Sequence, residues 1–370
     1  MPSSTGLDPA PTSVDTSALR RRSLPLLGGG DAPRRAAAIP YRDVDAPGAQ
    51  PRPAPRSVRI SVTDRCDFAC TYCRPSRHDG YTDGRLMTSA WRTMFEALRD
   101  AGVRRVRLTG GEPLLHPEIV SIVACLASLG FEDLALTTNA SQLARLAGPL
   151  RDAGLHRLNV SIDTLDPQRF REVTRGGELA RVLEGLGAAI AAGFSGIKLN
   201  TVVLRGVNDD EIERIALWAW ELRMIPRFLE VMPIAEGARL VGEHLVTAAE
   251  MRARLAEHLL EEQAVTDPGL GPARYVRARH DPSLRVGFIT GTSDTFCESC
   301  DRLRVSSTGV LRPCLATDDG VDASREAQVG DHAAIRRRLD EAWRLKPDGT
   351  VWKGCTEETA SSVSIRAIGG

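Results

Sequence analysis

Three cysteines stand close together in Cys66-Asp-Phe-Ala-Cys70-Thr-Tyr-Cys73, a CxxxCxxC run with Tyr72 beside the last thiol. Three thiolates can hold three irons of a four-iron cubane and leave the fourth without a protein ligand, open to a small chelating molecule. A zinc site is the alternative use of such thiols. A second set follows much later: Cys297-Glu-Ser-Cys300, thirteen further residues, then Cys314. Again three thiols converge, either on a second cubane whose open iron takes a substrate lone pair, or on a structural zinc with Cys355 as fourth ligand. Cys125, in an apolar stretch, reads as core packing.

Two further features belong with the thiols. Arg302 and Arg304 alternate after Cys300, so on a strand they share one face and can clamp a phosphate between two guanidinium groups. Thr109-Gly110-Gly111-Glu112-Pro113 joins two glycines to a strand end, where backbone can approach a ligand closely.

Positioning these groups falls to a repeating pattern. From residue 58 onward, β-rich runs at 58–63, 104–109, 133–138, 157–163, 197–204 and 227–232 alternate with amphipathic stretches at 89–101, 117–129, 142–153, 179–192 and 209–222. Six β-then-α units in series predict an α/β fold with a parallel sheet and right-handed crossovers. Six are too few for a closed eight-unit barrel, so an open, partial β/α barrel is expected, with the chemistry in loops at the strand C-termini. A helix near 247–260 and a Pro/Gly break at 267–272 end it. The division expected is a Pro/Ala/Arg-rich disordered leader over 1–56, the barrel over 57–265, and a smaller C-terminal part over 266–370 carrying the second thiol set. A transit peptide is the competing reading of the leader. Ser307-Thr-Gly309 predicts a hairpin turn that returns Cys314 towards Cys297 and Cys300.

Lys plus Arg and Asp plus Glu both number 48, so no global field recruits nucleic acid or an anionic membrane, and any anion site is local. No basic stripe studded with aromatic residues suggests nucleic acid. No apolar stretch reaches the roughly 20 residues of a bilayer span, and no secretory core is present. A cytoplasmic, reducing location follows, in which clustered thiols serve metals or catalysis rather than disulfides.

The CxxxCxxC loop placed after the first strand, with its aromatic residue, resembles the radical S-adenosylmethionine superfamily. That resemblance implies a 4Fe–4S cluster on Cys66, Cys70 and Cys73, with the amino and carboxylate groups of S-adenosylmethionine on the open iron. One electron then breaks the carbon–sulfur bond to give a 5′-deoxyadenosyl radical. The Gly110-Gly111-Glu112-Pro113 element matches the one that holds the cofactor's amino group, and Tyr72, Gly111, Ser161 and Met232 match positions that line it. From Val58 onward the chain is similar to the molybdenum cofactor biosynthesis protein A family, the GTP 3′,8-cyclases. The similarity runs through Arg59-Ile-Ser-Val-Thr-Asp-Arg-Cys66, Arg107-Leu-Thr-Gly-Gly-Glu-Pro113, Leu136-Thr-Thr-Asn139, Asn159-Val-Ser-Ile-Asp163, Lys198-Leu-Asn200, Gly206-Val-Asn-Asp209, Arg227-Phe-Leu-Glu-Val-Met-Pro233, Gly271-Pro-Ala-Arg274, the second cysteine set and Ile368-Gly-Gly370.

The family resemblance implies removal of the C3′ hydrogen of GTP and closure of the ribose radical onto C8 of guanine. It implies a second 4Fe–4S cluster on Cys297, Cys300 and Cys314 beneath the purine. It also implies nucleotide contacts from Arg59, Arg107, Thr137, Lys198, Arg302, Leu303 and Arg304, and a Gly369-Gly370 tail that enters the site. No side chain is assigned as a catalytic acid, base or nucleophile. The implied partners are GTP, an electron donor, a downstream cyclic pyranopterin monophosphate synthase and a second copy in a homodimer. Asp67 and Ala69 stand where the family commonly has asparagine and arginine, Arg74-Pro75-Ser76 replaces its methionine-proline, and no histidine follows Lys346-Pro347. Another radical enzyme with an auxiliary cluster and a non-catalytic paralogue with zinc in the second set are the alternatives.

Overall fold

The computed structural model describes residues 54–74, 76–78, 80–262, 264–266, 271–297, 300–347 and 360–369. Most of the leader, Cys355 and Gly370 lie outside the described residues. The first part of the chain runs β1 (Ser57–Ser61), α1 (Thr88–Asp100), β2 (Arg105–Thr109), α2 (Ile119–Ser128), β3 (Asp133–Thr138), α3 (Leu143–Asp152), β4 (Arg157–Ser161), α4 (Pro167–Val173), α5 (Leu179–Ala191), β5 (Lys198–Val203), α6 (Ile212–Glu221) and β6 (Ile225–Glu230). The remainder comprises α7 (Ala238–His244), α8 (Ala248–Arg254), β7 (Val265–Thr266), β8 (Arg274–Arg277), β9 (Arg285–Ile289), β10 (Arg302–Val305), β11 (Val310–Arg312), β12 (Val321–Asp322), α9 (Ser324–Val329), α10 (His332–Arg344) and α11 (Ile365–Ile368).

The six expected β/α units are present, and β1 to β6 pair in parallel in sequence order. Later strands extend the same sheet at both edges, in the order β12-β11-β10-β1-β2-β3-β4-β5-β6-β9-β8-β7. Strand β10 joins β1 in parallel and β9 joins β6 in parallel, each followed outward by antiparallel strands. Among the described residues β12 and β7 do not pair, so the barrel stays open.

Strand side chains alternate between faces, and here the alternation separates solvent-averse from charged. Val58 and Ile60, Val106 and Leu108, Leu134 and Leu136, Leu158 and Val160 point into the layer of helices, all buried. Helix α1 meets them with Trp91, Met94, Phe95 and Leu98, the i, i+3, i+4, i+7 stripe of an amphipathic helix. Arg59, Arg107, Thr137, Asn159 and Arg227 occupy the other phase and face the concave side. The hydrophobic core therefore lies outside the sheet and leaves the inside free for polar chemistry.

Candidate functional site

Parallel register sets Arg304 of β10 beside Arg59 of β1, and Arg59 beside Arg107 of β2. Three guanidinium groups thus form one row across three strands. A cavity of about 260 Å³ opens over them, lined also by Arg227, Arg302 and both thiol sets. Burial, then the neighbouring Arg304, Arg107 and Arg302, pull Arg59 well below the usual arginine value. Burial followed by Arg227 and Arg157 brings Arg107 down to about 9. For Arg304 burial and Arg302 give about 10. A guanidinium keeps its proton in a protein, so these shifts express crowded positive charge that calls for an anion. Arg227, 1% exposed, donates to Asn159 Oδ1 at 2.8 Å, which fixes it on the cavity floor.

Lys198 sits behind this row rather than in the cavity lining. Its ammonium is buried without a hydrogen-bond partner, 5.9 Å from the Tyr275 ring centre. Burial, then Arg227, Arg157 and Arg107, lower it to about 6. Leu303 is the one expected contact residue whose side chain the structure turns away. It is 0% exposed in the hydrophobic core, because it lies between Arg302 and Arg304 and strand alternation sends it to the opposite face.

The first thiol loop follows β1 and is held from three sides. Ala69 and Thr71 donate their backbone N–H groups to Thr174 and Val173 at the end of α4. Asp67 accepts from Asn139 Nδ2 at 2.8 Å and Ser141 Oγ at 2.6 Å. The Tyr72 hydroxyl donates to Asp163 Oδ2 at 2.8 Å. Asp163 also accepts from the Val202 N–H, while burial raises its carboxyl to about 6. Cys66, Cys70 and Cys73 are half-buried and form no disulfide. Burial, with Glu112 beside Cys66 and Asp163 beside Cys70, raises both thiols above their ordinary range.

Gly110 and Gly111 do not merely leave room for a ligand. A Cβ on Gly111 would lie 2.6 Å from Asp64 O and would overlap Arg65 O, because the two loops are bonded backbone to backbone. Gly111 N–H donates to Thr63 O and Glu112 N–H to Arg65 O, both at 2.7 Å. Glu112 then accepts from Leu114 N–H, Thr138 Oγ1 and Asn139 N–H, at 3.0, 2.7 and 2.6 Å, although burial raises its carboxyl to about 8. The glycines thus lock the thiol loop onto strands β2 and β3. Gly111, Tyr72, Ser161 and Met232 all line the cavity beside the first thiols.

The second thiol set faces the first across the cavity. Strands β10 and β11 form the expected hairpin, with Arg304 opposite Arg312, and it carries Cys314 back to the same cavity wall as Cys297 and Cys300. Cys297 is raised to about 11 by burial and the two neighbouring thiols. Burial pushes Cys300 the same way, yet Arg302 and Lys346 outweigh it and bring it to about 6. The tail reaches the guanidinium row: Arg304 donates to Ile368 O at 3.1 Å and to Gly369 O.

Each set presents three thiols to the cavity, the number that holds a cubane and leaves one iron open. Cys66, Cys70 and Cys297, raised by burial, become thiolates only against a positively charged centre, whereas Cys300 is already drawn that way by Arg302 and Lys346. Among the described residues no three His, Cys, Asp or Glu side chains gather as ligands of one ion would. A cubane is held otherwise, with each thiolate on an iron at its own corner. Arg227, Glu112, Asp163, Lys346 and Arg366 are cavity-lining or loop-holding residues that motif reasoning had not assigned as site residues. Arg227 was open to discovery, since it shares the inner face of the sheet with Arg59 and Arg107.

Fold and paired thiol loops define a radical S-adenosylmethionine enzyme, and comparison with known proteins agrees. The chain matches the Radical SAM superfamily over residues 60–219 and Molybdenum Cofactor Synthesis C over residues 224–352. Streptococcus suis SuiB bound to S-adenosylmethionine shares the fold at TM-score 0.58 and 17% identity, covering 83% of this chain and 76% of that one. A GTP 3′,8-cyclase of Pseudomonas entomophila is 43% identical over 298 residues, covering 78% of this chain and 88% of the relative. GTP 3′,8-cyclase 1 of Pseudomonas aeruginosa is 46% identical over 268 residues, covering 72% and 81%. The chain belongs to the GTP 3′,8-cyclase family.

Proposed function

We propose that this chain converts GTP to 3′,8-cyclo-7,8-dihydro-GTP, with release of 5′-deoxyadenosine and methionine, as the first step of molybdenum cofactor biosynthesis in the cytoplasm. The observation that carries this reading is the guanidinium row Arg304–Arg59–Arg107 set between two thiol triads in one cavity. A triphosphate brings close to four negative charges, and in a half-enclosed cavity it needs several cations at fixed positions.

Cys66, Cys70 and Cys73 would hold one 4Fe–4S cluster, and Cys297, Cys300 and Cys314 a second. When bound, the first supplies the electron that cleaves S-adenosylmethionine, and the second offers the purine an open iron. Tyr72, Gly111, Ser161 and Met232 hold the cofactor. Arg59, Arg107, Arg302 and Arg304, with Thr137, hold the triphosphate and ribose. Lys198, behind the row, adds charge as it takes up a proton. Leu303 can contribute only through its backbone. The tail at Gly369, drawn in by Arg304, covers the cavity and keeps water from the reacting sugar. The reaction consumes reducing equivalents from an external electron donor, and its product suits a pterin-forming synthase. Residues 57–265 act as the radical-generating part and share the seating of the substrate with residues 266–370.

The test is anaerobic turnover of the iron-reconstituted protein with GTP, S-adenosylmethionine and dithionite, following 5′-deoxyadenosine and the cyclised nucleotide by mass. Both are expected in step. 5′-Deoxyadenosine formed slowly while GTP stays intact would remove GTP as the substrate. About four irons with one zinc, in place of about eight irons, would return the second triad to a structural site.

A further inference from the structure

Lys346 follows helix α10 and reaches the cavity wall beneath the second thiol triad. The residue is 6% exposed. Its Nζ donates to Arg302 O and to Pro313 O, both at 2.8 Å. Arg302 lies two residues after Cys300, and Pro313 immediately precedes Cys314. One ammonium therefore staples both arms of the hairpin that carries the thiols.

An ammonium has three protons to donate. Two go to those carbonyls, which leaves the third for the cavity wall that Lys346 shares with Cys300 and Cys314. Two neutral carbonyls do not neutralise a buried charge, and burying one without an anion is costly. Among the described residues no carboxylate pairs with Lys346; the anion-forming groups it faces are Cys300 and Cys314. The Trp343 ring, 5.1 Å from Nζ, shields it on one side. The first triad is surrounded in the opposite sense, with Glu112 and Asp67 beside Cys66 and Asp163 beside Cys70.

The geometry points to Lys346 as a positioning residue for the cluster on Cys297, Cys300 and Cys314: its N–H···S bond and its charge hold that cluster at a higher reduction potential than the thiolates alone would give. Net charge and hydrogen bonds to sulfur are the levers by which a protein sets such potentials. The inference rests on the two-cluster reading. Lys346 touches neither the hydrogen that is removed nor the carbon that is attacked; it acts through Cys300.

The experiment is a spectroelectrochemical titration of full-length reconstituted protein, without GTP, read by the electron paramagnetic resonance of each cluster. Lys346→Met is compared with Lys346→Arg and the unchanged protein, with iron counted in each. The Met variant is expected to lower the midpoint of the second cluster alone, and the Arg variant to keep it near the original value. An unchanged midpoint in the Met variant at full iron content overturns the inference. If the unchanged protein itself carries only about four irons, the two-cluster reading fails first and takes the inference with it. Should the Met variant lose its second cluster, unchanged protein labelled with 15N at lysine Nζ decides the matter. A 15N coupling in the second cluster's signal is expected, and its absence refutes the bond.

Discussion

Replacing Gly369 by alanine tests whether the docked tail belongs to the working site. Gly369 holds φ 71° and ψ 94°, in the half of backbone space that glycine enters freely, and a side chain there costs at least about 1 kcal/mol. An added Cβ would overlap the Thr109 methyl and lie 3.4 Å from its hydroxyl. Thr109 cannot retreat, because it is 3% exposed and its carbonyl accepts from Val62 N–H at 3.0 Å. The tail must move instead, and Arg304 loses its bonds to Ile368 O and Gly369 O. A hydrogen bond to a charged group contributes about 1.5–3 kcal/mol. Counting only one of them, docking weakens by about 2.5 kcal/mol, or roughly seventy-fold. Anaerobic formation of the cyclised nucleotide should fall by about that factor, while iron content and the thermal midpoint hold. Turnover within about a factor of two of the unchanged protein would refute the argument.

Lys198, lowered to about 6 by burial and the surrounding guanidinium groups, is largely neutral at pH 7.5 before a triphosphate arrives. Binding GTP should draw in about one proton, seen calorimetrically as an enthalpy that changes with the ionisation heat of the buffer. The same depressed pKa means that the unfolded chain binds a proton the folded one lacks, from about 6 up to the ordinary lysine range, so ligand-free stability rises with pH across that window. Denaturant midpoints measured at several pH values check the sign. Arg59→Ala and Arg107→Ala should each weaken GTP binding roughly ten- to hundredfold, from lost charge-assisted bonds, and flatten its salt dependence. Cys297→Ser should leave about four irons and preserve S-adenosylmethionine cleavage while abolishing cyclisation, whereas Cys66→Ser should abolish both.

Much of the barrel was legible because its units are local. A strand such as 58–63 announces itself by alternation, and α1 by the spacing of Trp91, Met94, Phe95 and Leu98. The same alternation placed Arg302 and Arg304 on one face, and applied one residue further it excludes the Leu303 side chain. The edge strands were not legible. β7 and β12 are two residues long and β11 three, too short for any period to show, and their places depend on partners far away in sequence. Resemblance supplied the roles of the thiols, but the packing around Gly111 needed the structure: a Cβ there would strike the Asp64 and Arg65 carbonyls. Lys346 stayed hidden for a similar cause, since a lysine after a helix is ordinarily a solvated cap.

The parallel pairing of β1 with β10 has a consequence for how the protein is made. Ser57 lies against Arg302, so strand β1 emerges from the ribosome with one edge open and waits while roughly 250 further residues are added, on the order of tens of seconds at cellular rates. During that interval the first thiol loop, already docked on β2 through Gly111, is assembled, whereas the wall bearing Cys300 and Cys314 does not exist. An exposed strand edge is a site for mispairing, and this one carries Arg59 among its few side chains. The positive charge of Arg59 works against the waiting edge pairing with its like.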